Sequence, residues 1–485
     1  MRNLLKAMLT TGGATLMAQV LGLISNKILA LFLGTSGIGF YSLIRQVHDT
    51  GTGLGGIGAG GLPQGLAARD GTARLRLFHA ALILSGFGAV IAIAILIVAP
   101  ELIAGMLFDS TANEAVAAVV VCAATVGLGI AYFTISSALG AARAIAALAL
   151  IGIAGAAMTA LLAWPVALLA GERPYFLALL IGAPLLLQLT AACIVLRRTR
   201  FIAASGKVTR PGAAEFGYFA GFFSYNMAMS MIGTAAILFV RAGVVHKDGL
   251  EAAGLFAAGW GIGMQSMAII LSSFALYVVP TLAGNSDQER RKTLQDTATL
   301  ILSLTLPALV GLLVFKALVM ELLFSRDFLP AVPLLQWVLL GSYFKALGWV
   351  LAVPLLAAAD LRRMFLLEAG WYALFVGGVA IALSRPDWLA GIGVAFLVSY
   401  AIYVVAAGWL TWRRFGFVPS TRFVAVFALG CLTLTVAAVL TWDEIAIRWP
   451  LALSLPLVAC GVALLGLTPQ QRQRAVSLGK ALFGR

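Results

Sequence analysis

The chain has 485 residues, of which 61% are hydrophobic and only 11% are charged. Soluble domains carry about a quarter charged residues, so this composition excludes a soluble enzyme and predicts a polytopic membrane protein. The formal charge of +14 would suggest a nucleic-acid partner in a soluble domain. Here the basic residues lie mainly between apolar runs, so we expect no nucleic-acid partner.

Fourteen apolar runs are long enough to cross a membrane, because about 20 apolar residues span the hydrocarbon core of a bilayer. The sequence therefore predicts an all-α fold with about fourteen transmembrane helices. In chain order the runs lie at residues 10–33, 38–68, 77–99, 115–138, 144–169, 175–196, 215–242, 252–283, 294–316, 330–357, 363–384, 388–411, 422–441 and 449–467.

The lysines and arginines between the runs predict the orientation of the chain. With both termini in the cytoplasm, 23 of the 33 basic residues fall in inner loops and six in outer loops, with Lys316 at the outer margin. Cytoplasmic loops of membrane proteins carry this excess of positive charge. The sequence therefore predicts a multi-pass protein of the cytoplasmic membrane with cytoplasmic termini.

The four cysteines fall inside apolar runs, and their spacing supports neither a disulfide framework nor a metal site. We therefore interpret them as small buried hydrophobes and expect no metal and no cofactor. They are Cys122, Cys193, Cys431 and Cys460.

The two halves of the first twelve runs resemble each other in sequence. Six helices on each side share one orientation, which predicts a parallel repeat around an axis along the membrane normal. Four short matches follow in the same order: Gly39-Phe-Tyr-Ser with Gly254-Leu-Phe-Ala, Leu62-Pro63 with Val279-Pro280, Pro100–Phe108 with Lys316–Phe324, and Ser136–Arg143 with Ala352–Arg362.

This repeat predicts four parts of the chain. Two six-helix lobes related by a pseudo-two-fold axis are followed by two further helices, with a basic linker between the lobes. The predicted parts are residues 1–197, the cytoplasmic linker 198–214, residues 215–414, and residues 415–485 with the last two helices and a basic cytoplasmic tail.

Four basic residues fall inside predicted spans, namely Lys27, Arg45, Arg241 and Lys345. Ionisable groups at membrane depth are costly unless they face a wet cavity or a partner, so they are functional-site hypotheses. Arg241 occupies in the seventh helix the position of Lys27 in the first, within one residue. Cationic residues in both lobes predict an anionic substrate, with arginine suited to bidentate phosphate contacts.

Two further ionisable groups, His48 and Asp49, follow Arg45 at the i+3 and i+4 positions of the same helix face. They are candidates for ion coupling, because histidine changes charge near neutral pH. Structural alternatives remain open for each group. The basic side chains can snorkel to the interface, Asp49 can form an ion pair with Arg45, and His48 can be a satisfied polar residue.

The second run is rich in glycine and predicts a bend below Arg45, since glycine lets a helix bend or lets neighbours approach closely. Its segment Gly53-Leu-Gly-Gly-Ile-Gly58 matches a nucleotide-binding pattern but follows no strand, so we do not interpret it as one. We expect the chain not to be an enzyme. The predicted hinge residues are Gly51, Gly53, Gly55, Gly56, Gly58 and Pro63.

At four places the sequence resembles the polysaccharide flippases of the multidrug/oligosaccharidyl-lipid/polysaccharide exporter superfamily, especially the O-antigen and enterobacterial common antigen translocases. Together these places cover roughly residues 5–415. They are Lys6–Leu33 with the turn through Gly39; Arg45-Gln46; Gly254-Leu-Phe-Ala-Ala-Gly-Trp260 running on to Tyr277-Val-Val-Pro280; and Phe328-Leu-Pro-Ala with Gln336-Trp337, Gly341 and Lys345.

The resemblance implies a substrate, an oligosaccharide on undecaprenyl diphosphate, moved from the cytoplasmic to the periplasmic leaflet of the inner membrane by alternating access. The implied partners are this lipid-linked oligosaccharide, membrane lipids and other polysaccharide-assembly proteins. The chain departs from the family at Gly261, where the family often has arginine, and at Ser342, where it often has aspartate.

Two other functions stay open within the same superfamily. The family's usual twelve helices leave the last two unexplained, which is similar to the accessory pair of the lipid II-type peptidoglycan precursor flippases. A small-molecule or drug antiporter is the other alternative, although it would need a buried carboxylate in the first helix, where this chain has Lys27.

Overall fold

The structure is a computed structural model that describes residues 2–110, 112–202, 210–284, 287–358, 360–442 and 449–466. Within these residues the side chains of 2–12, 221–226, 268–270 and 272–290 are not part of the description. The described chain is helical with no β-strand, which confirms the predicted all-α class.

Fifteen α-helices and two 3₁₀ turns make up the described chain. The turns are Pro174–Ala178 and Arg326–Ala331. The helices, numbered α1 to α15 in order, are Arg2–Gly55, Leu62–Ala67, Gly71–Val98, Pro100–Phe108, Asn113–Ala141, Ile145–Glu172, Leu179–Thr199, Ala213–Gly284, Asp287–Val314, Lys316–Leu323, Val332–Ala357, Leu361–Leu383, Trp388–Phe415, Thr421–Leu440 and Trp449–Gly466.

Twelve helices in the described residues are long and apolar enough to cross a membrane. Two of these candidate spans, Gly13–Gly55 and Met227–Met267, have 43 and 41 residues. At 1.5 Å per residue each would extend over about 60 Å, twice the hydrocarbon core of about 30 Å. Each is broken near its middle, so the twelve spans contain fourteen crossing segments, as the sequence predicts.

The two breaks have the same geometry. Gly34 has φ 65° and ψ −162°, and Gly249 has φ 74° and ψ −162°. Positive φ with extended ψ is open to glycine and strained for other residues, so the helix is interrupted at these two positions. We name the segments on either side α1a (2–33), α1b (35–55), α8a (213–247) and α8b (250–284).

The predicted repeat accounts for this symmetry, because Gly34 and Gly249 lie at the same distance before the matched residues Gly39 and Gly254. These two matched glycines meet where α1b crosses α8b. A Cβ atom on Gly39 would lie 2.0 Å from the carbonyl oxygen of Leu250, and one on Gly254 would lie 1.9 Å from that of Thr35. Only hydrogen fits at this crossing.

The match between Pro100–Phe108 and Lys316–Phe324 also has a structural counterpart. Each begins a short helix, α4 and α10, that follows a membrane-crossing helix. The match that involves Val279-Pro280 lies where side chains are outside the described residues.

The described chain forms two compact units. The first comprises Met1–Ala257 with Leu323–Asp327, and the second comprises Ala258–Leu322 with Phe328–Arg485. In the second unit the last two helices, α14 and α15, pack against α9. The predicted lobes at 1–197 and 215–414 stay a prediction. Most of the predicted linker and the predicted basic tail lie outside the described residues.

Lys316 is buried in the second unit, and its predicted place at the outer margin of the membrane stays a prediction. Its side chain is 1% exposed, and its ammonium donates to Gln336 Oε1 at 2.5 Å and to the carbonyl oxygen of Thr441. Thr441 is the C-cap of α14, and a cation is favourable at the negative end of a helix. These two hydrogen bonds of Lys316 connect the end of α14 with α10 and α11.

The interpretation of the cysteines as buried hydrophobes is correct for Cys122 alone. Cys193 and Cys431 are partly exposed and Cys460 is exposed. An apolar run in a membrane helix does not distinguish the face that meets other helices from the face that meets lipid, because both are apolar.

Candidate functional site: two charged clusters

Arg45 and Asp49 lie one turn apart on α1b. Their side chains are 62% and 60% exposed, and Arg45 Nε lies 3.8 Å from Asp49 Oδ2. This distance is too long for a hydrogen bond, and the guanidinium of Arg45 donates none to any residue that the structure describes. Arg45 is therefore only loosely held by Asp49 and is available to a ligand.

Arg241 on α8a joins this pair. Its Nη1 donates to the hydroxyl of Ser42 at 3.0 Å and to the carbonyl oxygen of Ser42 at 3.2 Å. Its Nε is buried and finds no acceptor within the described residues. Ser42 lies one turn before Arg45 on α1b, so the two guanidinium groups share one side of that helix, where Asp49 and Arg45 act electrostatically on Arg241.

These three residues form a set that we call the cationic cluster: Arg45, Asp49 and Arg241. Two guanidinium groups and one carboxylate leave one positive charge in excess. An uncompensated charge within membrane helices is costly, and an anion that binds beside it removes that cost. The arrangement is suited to a phosphate or diphosphate, for which arginine provides paired donors.

Lys27 on α1a has a different neighbourhood. Its ammonium donates to the carbonyl oxygen of Phe324, the residue that follows α10. Carbonyl groups at a helix C-terminus lack partners in their own helix, and a cation there is favourable. Its predicted contact with a substrate stays a prediction.

His48 lies in the packing of α1b against α5. Its side chain is 8% exposed, and its Nδ1 lies 3.1 Å from Thr125 Oγ1. Because Thr125 donates its hydroxyl to the carbonyl of Cys122, His48 Nδ1 is the donor to Thr125. Ion coupling through His48 or Asp49 stays a prediction, and this geometry makes the exposed Asp49 the better candidate.

The predicted hinge lies where α1 ends. The helix stops at Gly55, residues 56–61 form turns, and α2 begins at Leu62 with Pro63 in its first turn. Before the break the glycines permit close packing: a Cβ atom on Gly51 would lie 2.7 Å from Val126, and one on Gly55 would lie 2.4 Å from Ile130. The helix is broken at this place, and movement about the break stays a prediction.

A cavity of about 690 Å³ lies in the first unit on the side of α1b that carries Val47 and Leu54. Its other walls come from α3, α4 and α8a, and among its lining residues only Thr50 has a polar side chain. The cavity therefore suits apolar groups and is not itself a site for a phosphate.

Lys345 belongs to the second unit and to a second cluster. Its Nζ lies 3.3 Å from Met264 Sδ and about 6 Å from the ring centres of Phe396 and Tyr400. Within the described residues no carboxylate lies in salt-bridge distance of this ammonium. Glu368 acts on it electrostatically from α12.

Glu368 is a candidate that the sequence analysis missed. It lies about two turns into the apolar helix α12, and its Oε1 accepts a hydrogen bond of 2.7 Å from the hydroxyl of Tyr403. An ionisable group in a membrane helix is a functional-site hypothesis for either sign of charge. The pattern of basic residues in the sequence gives no signal for this carboxylate.

Comparison with known proteins identifies relatives by sequence and by fold. No family model matches the chain. It is 24% identical over 426 residues to the lipid III flippase of Escherichia coli (strain K12), which covers 85% of this chain and 99% of the relative. The lipid III flippase of Shigella flexneri matches to the same extent.

Two solved structures share the fold. An inward-facing multidrug resistance MATE family transporter of the MOP superfamily has a TM-score of 0.72 at 14% identity, covering 82% of this chain and 94% of its own. The lipid II flippase MurJ in an inward closed conformation has a TM-score of 0.64 at 15% identity, covering 97% and 99%. The chain therefore shares the fold of these two transporters and resembles the lipid III flippases in sequence.

Proposed function

We propose that this protein is a flippase of the inner membrane that moves an undecaprenyl-diphosphate-linked oligosaccharide from the cytoplasmic to the periplasmic leaflet by alternating access. The relatives that match over 85% of the chain are lipid III flippases, which supports a lipid-linked precursor as the substrate. The orientation with cytoplasmic termini and an association with other polysaccharide-assembly proteins are parts of this proposal.

The cationic cluster is the observation that carries the substrate assignment. A lipid-linked sugar on a diphosphate presents two or more negative charges at the junction of lipid and sugar. Arg45 is exposed and donates no hydrogen bond within the described residues, and Arg241 has a buried Nε without an acceptor there. These donors fit the diphosphate, while Asp49 limits the excess charge when the site is free.

A second candidate is a lipid II-type precursor flippase. The match to the lipid II flippase structure covers 97% of this chain, whereas the matches to MATE structures cover 82–85%. The difference is favourable to a flippase in which the last two helices take part. A drug antiporter is less favoured, because α1a carries Lys27 and no carboxylate.

The test is the flipping of a fluorescent undecaprenyl-diphosphate oligosaccharide in proteoliposomes that contain the purified full chain. Arg45→Ala removes a charged donor, and hydrogen bonds to charged groups contribute about 1.5–3 kcal/mol. We expect flipping to fall at least about tenfold, with partial recovery in Arg45→Lys, which restores the point charge without the paired donors.

The matched control is Arg385→Ala, at an exposed arginine between α12 and α13. It should flip the lipid at the wild-type rate. Normal flipping by Arg45→Ala at an unchanged melting temperature would contradict the proposal, as would a wild-type protein that fails to flip any lipid-linked saccharide.

A further inference from the structure

The second unit contains an aromatic cluster with several polar groups. Tyr400 of α13 is at its centre, with its ring centre 4.8 Å from those of Trp371 and Phe396 and 5.8 Å from that of Tyr403. Lys345 of α11 lies over the same Tyr400 ring at 5.9 Å. Three helices therefore converge on this ring.

A fourth helix adds another aromatic wall. Trp260 of α8b is stacked on Phe375 at 5.5 Å, and Trp371 is also stacked on Phe375, at 5.4 Å with an interplanar angle of 10°. Phe375 and Phe396 are buried, while Trp260, Tyr400 and Lys345 are partly exposed. The two buried phenylalanine rings pack beneath the three partly exposed side chains, which are accessible to a ligand.

The polar groups of this cluster have spare hydrogen-bonding capacity. Glu368 accepts from Tyr403 through Oε1, and its Oε2 accepts from no residue in the described part of the chain. The indole Nε1 of Trp371 is buried, in a side chain that is 8% exposed, and has no acceptor there. A buried donor without a partner is unfavourable, so a ligand that accepts from it is stabilised.

The charge of the cluster differs from that of the cationic cluster. One ammonium and one carboxylate, Lys345 and Glu368, balance each other, and Glu368 also acts electrostatically on Tyr372 and Tyr400. A neutral site is poorly suited to a diphosphate. It offers donors, acceptors and aromatic faces close together, which is the chemistry that recognises a ring with many hydroxyl groups and C–H edges.

We propose that the cluster of Lys345, Glu368, Trp371 and Tyr400 binds the saccharide part of the substrate. Glu368 accepts from sugar hydroxyls, Lys345 and the indole of Trp371 donate to them, and a sugar ring lies against Tyr400 or Trp260. The inference rests on the proposed function, because it assigns the sugar of that substrate to this cluster.

The experiment compares two lipids that share undecaprenyl diphosphate and differ in the sugar, one with a single residue and one with the full oligosaccharide. Flipping of both is measured in proteoliposomes for wild type, Glu368→Gln, Tyr400→Ala and Arg45→Ala. Glu368→Gln keeps an acceptor for Tyr403 and is nearly isosteric, so it guards against a loss that is caused only by misfolding. Trp412→Ala, at an exposed residue of α13, is the matched aromatic control.

We expect Glu368→Gln and Tyr400→Ala to reduce flipping of the oligosaccharide lipid at least about tenfold, as for the loss of one charged hydrogen bond. Flipping of the single-sugar lipid should stay within about twofold, and Arg45→Ala should reduce both. Equal loss for both lipids would overturn the saccharide assignment while leaving the proposed function intact, as would unchanged flipping of both. Absence of flipping by the wild type would overturn the function itself.

Discussion

The crossing of α1b and α8b permits a test of the internal repeat. It also tests whether this crossing opens and closes during transport. The perturbation is one methyl group at either matched glycine, Gly39→Ala or Gly254→Ala. In each case the new Cβ atom would lie about 2 Å from a carbonyl oxygen of the other helix. Ordinary van der Waals contact begins at 3.4 Å, so each new Cβ atom would lie far too close to that oxygen. The oxygen belongs to the backbone and cannot rotate away as a side chain can.

The two segments must therefore separate where the alanine is introduced. Insertion of an extra methyl group into tight packing costs about 1–3 kcal/mol. If the crossing opens and closes during transport, this energy shifts the equilibrium towards the open form by about 5- to 150-fold. We expect the two alanine variants to have similar effects, because the repeat gives each glycine the same contact.

The assay is labelling of Thr35→Cys by a membrane-impermeant maleimide in a background without the four native cysteines. Thr35 is 8% exposed beside the break at Gly34, so labelling is slow while the crossing is closed. Either alanine should raise the labelling rate. Gly22→Ala is the control, since nothing lies within 4 Å of a Cβ atom there. Unchanged labelling and an unchanged melting temperature in both glycine variants would refute the reasoning.

Two further predictions concern buried polar groups. Lys316→Ala should lower the melting temperature by at least about 2 °C, because the buried Thr441 carbonyl loses its donor. The control Lys247→Ala, at an exposed lysine, should leave the melting temperature unchanged. An equal decrease in both variants would contradict a stabilising role for the contact between Lys316 and Thr441. His48→Gln should keep flipping within about twofold, since a glutamine can also donate to Thr125, a bond of about 1 kcal/mol. Loss of gradient-driven flipping in His48→Gln at an unchanged melting temperature would show instead that the histidine carries a proton.

Much of the fold follows from local properties of the sequence. A run of about 20 apolar residues has few alternatives to a membrane-spanning helix, so the fourteen segments agree with the apolar runs. The breaks at Gly34 and Gly249 lie between predicted runs, after residues 33 and 242, and their positive φ is open to glycine. The repeat was detectable because Gly39 and Gly254 are constrained by the same close approach.

Tertiary structure alone decided which helix each charged side chain meets. Sequence position defines the depth of a residue along its helix, but not the neighbour on that face, since lipid-facing and buried faces of a membrane helix are both apolar. For this reason the sequence identified Lys27 as a charged residue inside a span but could not show that its ammonium donates to the carbonyl oxygen of Phe324. The sequence likewise could not show that Lys345, Glu368 and Tyr400 meet, because three different helices bring them together.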